Sequence, residues 1–304
     1  MRFFVSSNIK ENRMLYYMLL LFLLFSVLYW VSSWLFFYTK YGFSHESLLR
    51  YYFQDPESPE RISLAQLSED MHVHTFLDSM FLLVLSSLFL QTNFPETFKK
   101  VLNATAFLTA ILYHAWDMVI YFLGPHWVLP KLVLFVLLQL TVALLIILNF
   151  LFLFSNSKGE KVGISTIRLI LVLFSLLSLL FIASSFMAFF SKMGFDLQGI
   201  KDYYLGNPER YMKPKTWEGM WKVFHPHLLS MPLYLLTVGH LALFSDRKKY
   251  INLMTALSFV FAFLDNTSGI AIRYLSPHFS YVKLTAFFGL QATLLFFIYL
   301  LLRD

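Results

Sequence analysis

Apolar residues fall in eight long runs along the chain, at about residues 14–38, 73–92, 101–123, 131–154, 167–190, 227–245, 250–275 and 282–302. Each holds close to the ~20 residues that carry a helix across a bilayer. Alternating apolar and polar positions, the mark of a membrane barrel, are nowhere sustained in the sequence, so helices are the predicted elements. The first run is too long for the core of a cleaved signal peptide and reads as a retained span.

Short polar marks recur between these runs. Gly42-Phe43 returns as Gly194-Phe195, Tyr51-Tyr52 as Tyr203-Tyr204, Pro56-Glu57 as Pro208-Glu209, Pro125-His126 as Pro277-His278 and Lys131 as Lys283, each 152 residues later. His72-Val73-His74 returns as His225-Pro226-His227 after 153, so one extra residue separates the two registers. The pattern predicts an all-α integral membrane protein of eight transmembrane helices, arranged as two four-helix repeats. Four spans per repeat is an even number, so the repeats run parallel, related by an axis along the membrane normal. The boundaries expected are 1–13 for a cytoplasmic N-terminus, 14–155 for the first repeat, 156–166 for a cytoplasmic linker and 167–304 for the second repeat.

Each long loop opens with a stretch of helical amphipathicity, Ser44 to Phe53 and Asp196 to Leu205, and Ser44 or Asp196 is placed to cap the first turn. Lys and Arg are densest on the side holding the N-terminus, Lys99/Lys100, Lys158/Lys161/Arg168 and Arg247/Lys248/Lys249. That side is expected to be cytoplasmic, with both termini inside and the two long loops outside, as in a bacterial inner membrane.

Composition sharpens the picture. At 58% hydrophobic and 14% charged the chain lies outside soluble averages, and its formal charge of +6 sits largely in the short loops rather than in a nucleic-acid footprint. With no cysteine, disulfides, Cys-ligated zinc, iron–sulfur clusters and thiol nucleophiles are all excluded.

Candidate chemistry comes from the histidines. His45, His72, His74, His126, His225, His227 and His278 all fall at the expected outer ends of spans or in outer loops. Two matched sets result, His72/His74/His126 and His225/His227/His278. Imidazoles suit zinc, copper or iron, and are also the axial ligands of haem b. Two histidines at i, i+2 point about 200° apart on a regular helix, so each pair serves one metal only if it lies at a helix start, which Pro226 favours. Interfacial anchoring by an amphipathic ring is the competing explanation.

A second constellation lies within the runs: Asp78, His114, Asp117, His240, Asp265 and Arg273. A charge in hydrocarbon costs about 2.5–3.5 kcal/mol even on mild scales, so such residues are expected to face a bundle interior and to have partners. Asp78 and Asp117 are candidates for a carboxylate pair. At the register of His114 and Asp117 the second half has Asn266 and Gly269, with Asp265 expected on a neighbouring face.

The function expected is membrane-linked redox or metal handling, with haem b or a transition metal held at the duplicated histidine sites and another membrane subunit or a redox partner on the outer face. Two alternatives stand beside it: an ion- or proton-coupled transporter using the intramembrane Asp and His, and a structural or assembly subunit of a membrane complex.

Overall fold

A computed structural model describes residues 13–54, 61–155, 163–243 and 248–303. Among these, the regular structure is helical: α1 (Arg13–Tyr41), α2 (His45–Phe53), α3 (Leu64–Leu90), α4 (Glu96–Leu123), α5 (Val128–Phe154), α6 (Ile164–Met193), α7 (Leu197–Leu205), α8 (Trp217–Ala242), α9 (Lys248–Tyr274) and α10 (Phe279–Arg303), with 3-10 turns at Pro125–Trp127 and Pro208–Arg210. One isolated extended bridge joins Asn207 to Met212.

Seven of these helices, α1, α3, α4, α5, α6, α9 and α10, are long and apolar enough to cross a membrane. The eighth expected span corresponds to α8, whose 26 residues give it the length. His225, His227 and His240, with Pro226 and Pro232 inside the helix, keep α8 below the apolarity of the others. The outward faces are apolar where water would disfavour it. Phe25, Leu28 and Leu35 of α1 are each more than 60% exposed, and Leu140, Ile147 and Leu151 of α5 more than 50%. Such a surface is stable against hydrocarbon and unstable against water.

Two helices begin earlier than their apolar runs. Ser63 caps α3 by accepting the amide of Gln66, and Thr216 caps α8 by accepting that of Gly219. The helices therefore start at Leu64 and Trp217, with polar first turns that carry no apolar signal. The consequence corrects one expectation: His72/His74 and His225/His227 lie two or more turns inside helices, and Pro226 is not at a helix start.

The short loop helices form as their capping residues dictate. Ser44 and Ser47 make a reciprocal capping box at α2, and the Asp196 carboxylate accepts the Gly199 amide at α7. The preceding helices stop at Gly42 and Gly194, whose φ of 68° and 63° is left-handed and favours glycine. The linker at 156–166 and the Asp55-Pro56 end of the first amphipathic stretch lie largely outside the described residues.

The chain divides into two compact units, residues 1–180 and 181–304. In the first, Phe37, Leu48, Tyr52, Ile120, Val128 and Phe135 form a buried core where α2 packs on α1, α4 and α5. In the second, the core is Phe189, Met193, Ile200, Ile272 and Phe287. Each of these five stands 152 positions after a core residue of the first unit: Phe37, Tyr41, Leu48, Ile120 and Phe135. The ring geometry recurs as well. Phe37 stacks on Phe135 at 3.9 Å and 17°, and Phe189 stacks on Phe287 at 4.0 Å and 23°. Tyr51 meets Tyr52 edge-on at 4.9 Å, and Tyr203 meets Tyr204 edge-on at 5.0 Å.

Candidate functional site

The six histidines singled out by repetition are dispersed. His126 sits exposed in the Pro125–Trp127 turn, and His225 and His278 are also exposed. His227 is half-buried, with its Nδ1 2.7 Å from the Val223 carbonyl of its own helix. His72 is half-buried in α3. His74 packs on the ring of Phe36 at 4.7 Å. Among the described residues, no three His, Asp or Glu side chains gather at a geometry fit for a metal ion. Asp70, near in sequence, has other engagements: it takes the Lys40 ammonium and the Tyr51 hydroxyl, both at 2.7 Å.

What converges is the intramembrane set. Asp78 lies near the middle of α3, and His114 of α4 reaches it with Nε2 at 2.8 Å while the Tyr29 hydroxyl of α1 donates to it at 2.9 Å. The His114 side chain is 2% exposed and that of Asp78 19%. For this bond to form with a carboxylate, Nε2 must carry a hydrogen. The group opens into a cavity of about 250 Å³ lined by Tyr29, His74, Asp78, Tyr113, His114 and Gln139, among others. Gln139 is 7% exposed, and its Oε1 has no hydrogen-bond partner among the described residues. Among the described residues, the lining has one carboxylate and no lysine or arginine.

Asp117 does not join Asp78 in a carboxylate pair. Its carboxylate lies 2.7 Å from Nζ of Lys131 on α5 and accepts the Tyr52 hydroxyl of α2 at 2.5 Å. Lys131 also donates to the Tyr113 carbonyl at 2.8 Å and lies 3.6 Å from the centre of that ring. Burial, and then the Asp117 charge, push the Tyr52 phenol well above its ordinary range, which keeps it a donor.

The second unit builds the same junction from shifted parts. Lys283 of α10 lies 2.8 Å from the Asp265 carboxylate and donates to the Asp265 carbonyl at 3.0 Å. Asp265 stands at the register of Tyr113, one helical turn before Gly269, which stands at that of Asp117. Four residues make about one turn, so both carboxylates reach the lysine of their unit. The four-residue offset leaves about 40° between the two positions, so Asp265 approaches the lysine from the face adjoining that of Gly269. Where the first unit pairs His114 with Asp78, the second has the Asn266 amide 3.1 Å from Sδ of Met231. Arg273 donates to the Lys215 carbonyl at 3.2 Å, and His240 is half-buried near the end of α8.

Sequence reasoning missed Lys131, Lys283, Tyr29 and Tyr52 as members of these groups. The signal existed: a lysine repeated inside an apolar run must find a counter-charge.

Long helices with apolar outer faces and buried ion pairs define a polytopic helical membrane protein. A family model for a transmembrane helical domain matches residues 42–161 and 194–304, and the chain belongs to that family, Aq_1264_TM. The protein is accordingly an integral, multi-pass membrane protein in contact with the lipid bilayer. Neither the curated proteins nor the solved structures contain a match to it.

Proposed function

We propose that the protein handles a proton or a small cation within the membrane, at the Asp78–His114–Tyr29 group of its first unit. The observation that supports this reading is charge balance. Asp117 and Asp265 are each neutralised by a lysine, whereas among the described residues Asp78 meets a histidine and a phenol and no lysine or arginine. With neutral His114 that group carries one net negative charge in a low-dielectric site, and uptake of one proton or monovalent cation makes it neutral. A proton converts His114 to imidazolium held against the carboxylate; a cation would take the Asp78 and Gln139 oxygens facing the cavity. Coupled movement of an ion and a substrate follows from such a site, with eight spans as two parallel copies, both termini cytoplasmic and His74 in the cavity lining.

The test is reconstitution into vesicles holding a pH-sensitive dye. Wild-type protein is expected to change the internal pH when sodium, potassium or a membrane potential is imposed, and Asp78→Asn to abolish this while Asp117→Asn/Lys131→Met does not. Equal responses from wild type and Asp78→Asn would sink the proposal.

A metal or haem reading keeps one specific observation. Of the six histidines, His74 lines this cavity together with His114 and Asp78. Elemental analysis and an absorption spectrum of the purified protein decide it: stoichiometric metal or a Soret band lost in His74→Ala favours the metal reading over proton handling.

A further inference from the structure

The two units differ in charge at one matched place. In the first, Ile62 is buried in the core, its amide donating to the Tyr52 carbonyl at 2.9 Å, and Asp70 nearby holds Lys40 and Tyr51. In the second, Lys215 makes the corresponding backbone bond to Tyr204 at 3.1 Å, and Val223 stands where Asp70 would be, both at the 153-residue register. A buried apolar side chain has become a cation, and a carboxylate has become an isopropyl group. Lys192 stands at the register of Lys40.

These changes surround a cavity of about 60 Å³ lined by Tyr203, Tyr204, Lys215, Val223, Asp265 and Lys283, with Gly219 of the first α8 turn. Two ammonium groups and one carboxylate line it, and that carboxylate is already held by Lys283 at 2.8 Å. Lys215 is half-buried, with its ammonium 4.3 Å from the centre of the Tyr203 ring. The nearest acids on the packed elements are committed elsewhere: Asp202 to Asn207, Gln198 and Arg210, and Glu218 to Lys222. The start of α8 adds its positive dipole end.

We infer that this cavity is an oxyanion site, sized for a single phosphate-type group and selective against cations. Lys215 supplies the charge that the site retains after Lys283 and Asp265 neutralise each other, and the hydroxyl-bearing rings of Tyr203 and Tyr204 line its walls. The same chemistry serves a free inorganic phosphate or the phosphate of an anionic lipid.

The experiment is thermal unfolding of the full chain followed by tryptophan fluorescence. In detergent, inorganic phosphate is the probe, with sodium chloride of equal ionic strength as reference. In parallel, nanodiscs of phosphatidylglycerol are compared with nanodiscs of phosphatidylcholine. Saturating occupancy is expected to raise the wild-type Tm by at least about 3 °C. The rise should vanish in Lys215→Ile and Val223→Asp, which restore the residues of the first unit, and persist in Lys215→Arg. A rise with phosphate supports a soluble oxyanion, and a rise only in phosphatidylglycerol supports a lipid phosphate. If Lys215→Ile is poorly folded, Lys215→Gln takes its place, since it keeps the length and polarity. A response of Lys215→Gln equal to that of wild type in both media overturns the site, as does the absence of any rise.

Discussion

The ring of Tyr204 occupies the space that a side chain at Gly269 would need: a Cβ built on Gly269 would come 2.8 Å from Cε1 of that ring. The Tyr204 ring of α7 lies over α9 at position 269, and the carboxylate that stands there in the first unit has moved one turn back to Asp265. Gly269→Ala is therefore expected to destabilise by about 1–3 kcal/mol, the usual scale of overpacking, although alanine is the better helix former. Tyr204→Leu in the Gly269→Ala background should recover part of the loss. Thermal unfolding of the single and double variants checks this, and a neutral or stabilising Gly269→Ala would show that α7 packs less closely.

The ion pair of Lys131 and Asp117 is buried, with side chains 1% and 5% exposed. Lys131→Met strands the carboxylate and is expected to cost about 3–5 kcal/mol. Lys131→Met with Asp117→Leu should recover most of that cost, because removing both charges also removes their desolvation penalty. A double-mutant cycle with no coupling would show that the two residues are stabilised separately.

Asp202 of α7 is 3% exposed and accepts from Asn207 at 2.9 Å and Gln198 at 2.8 Å. The Asn207 bond foremost, then the Gln198 bond and the Arg210 charge, hold its carboxyl below the ordinary carboxylate range. A lowered folded-state pKa contributes stability that is complete above the unfolded value of ~3.9 and is lost as pH falls through the folded one. Limited proteolysis within 197–212 should accelerate below about pH 4, and Asp202→Asn should remove that acid dependence. Cleavage that stays constant down to pH 2 would contradict it.

The sidedness expected from the charge pattern is testable in a chain that has no cysteine of its own. A single cysteine at position 160 should react with an impermeant maleimide only after permeabilisation, and one at position 213 in intact cells. The opposite result would invert the topology and place the long loops in the cytoplasm.

Much of the architecture was legible in the sequence because its causes are local. Runs of apolar residues set seven spans, Ser44 and Asp196 announced the two loop helices, and recurring Gly-Phe and Tyr-Tyr marks gave the register at which the cores agree. Long-range pairing was harder to read. Polar first turns hid the true starts of α3 and α8, so the histidine pairs were expected at helix ends, where they are not found. The repeated histidines drew attention by spacing alone, while the buried ion pairs belonged to Lys131 and Lys283, whose partners lie on other helices. The pairing of Asp265 with Lys283 became legible only in the packing of α9 on α10.

The bond from Tyr52 to Asp117 has a consequence for motion. The same carboxylate oxygen holds the phenol of α2 and the ammonium of α5, and the Ile62 amide fastens the far end of the loop to Tyr52. Lifting α2 away would hydrate the Lys131–Asp117 pair in the same event, so the loop helix and the bundle interior open as one cooperative unit. Amide hydrogens of residues 45–53, although they belong to a nine-residue surface helix too short to persist alone in water, should then exchange on the slow clock of the helices beneath them.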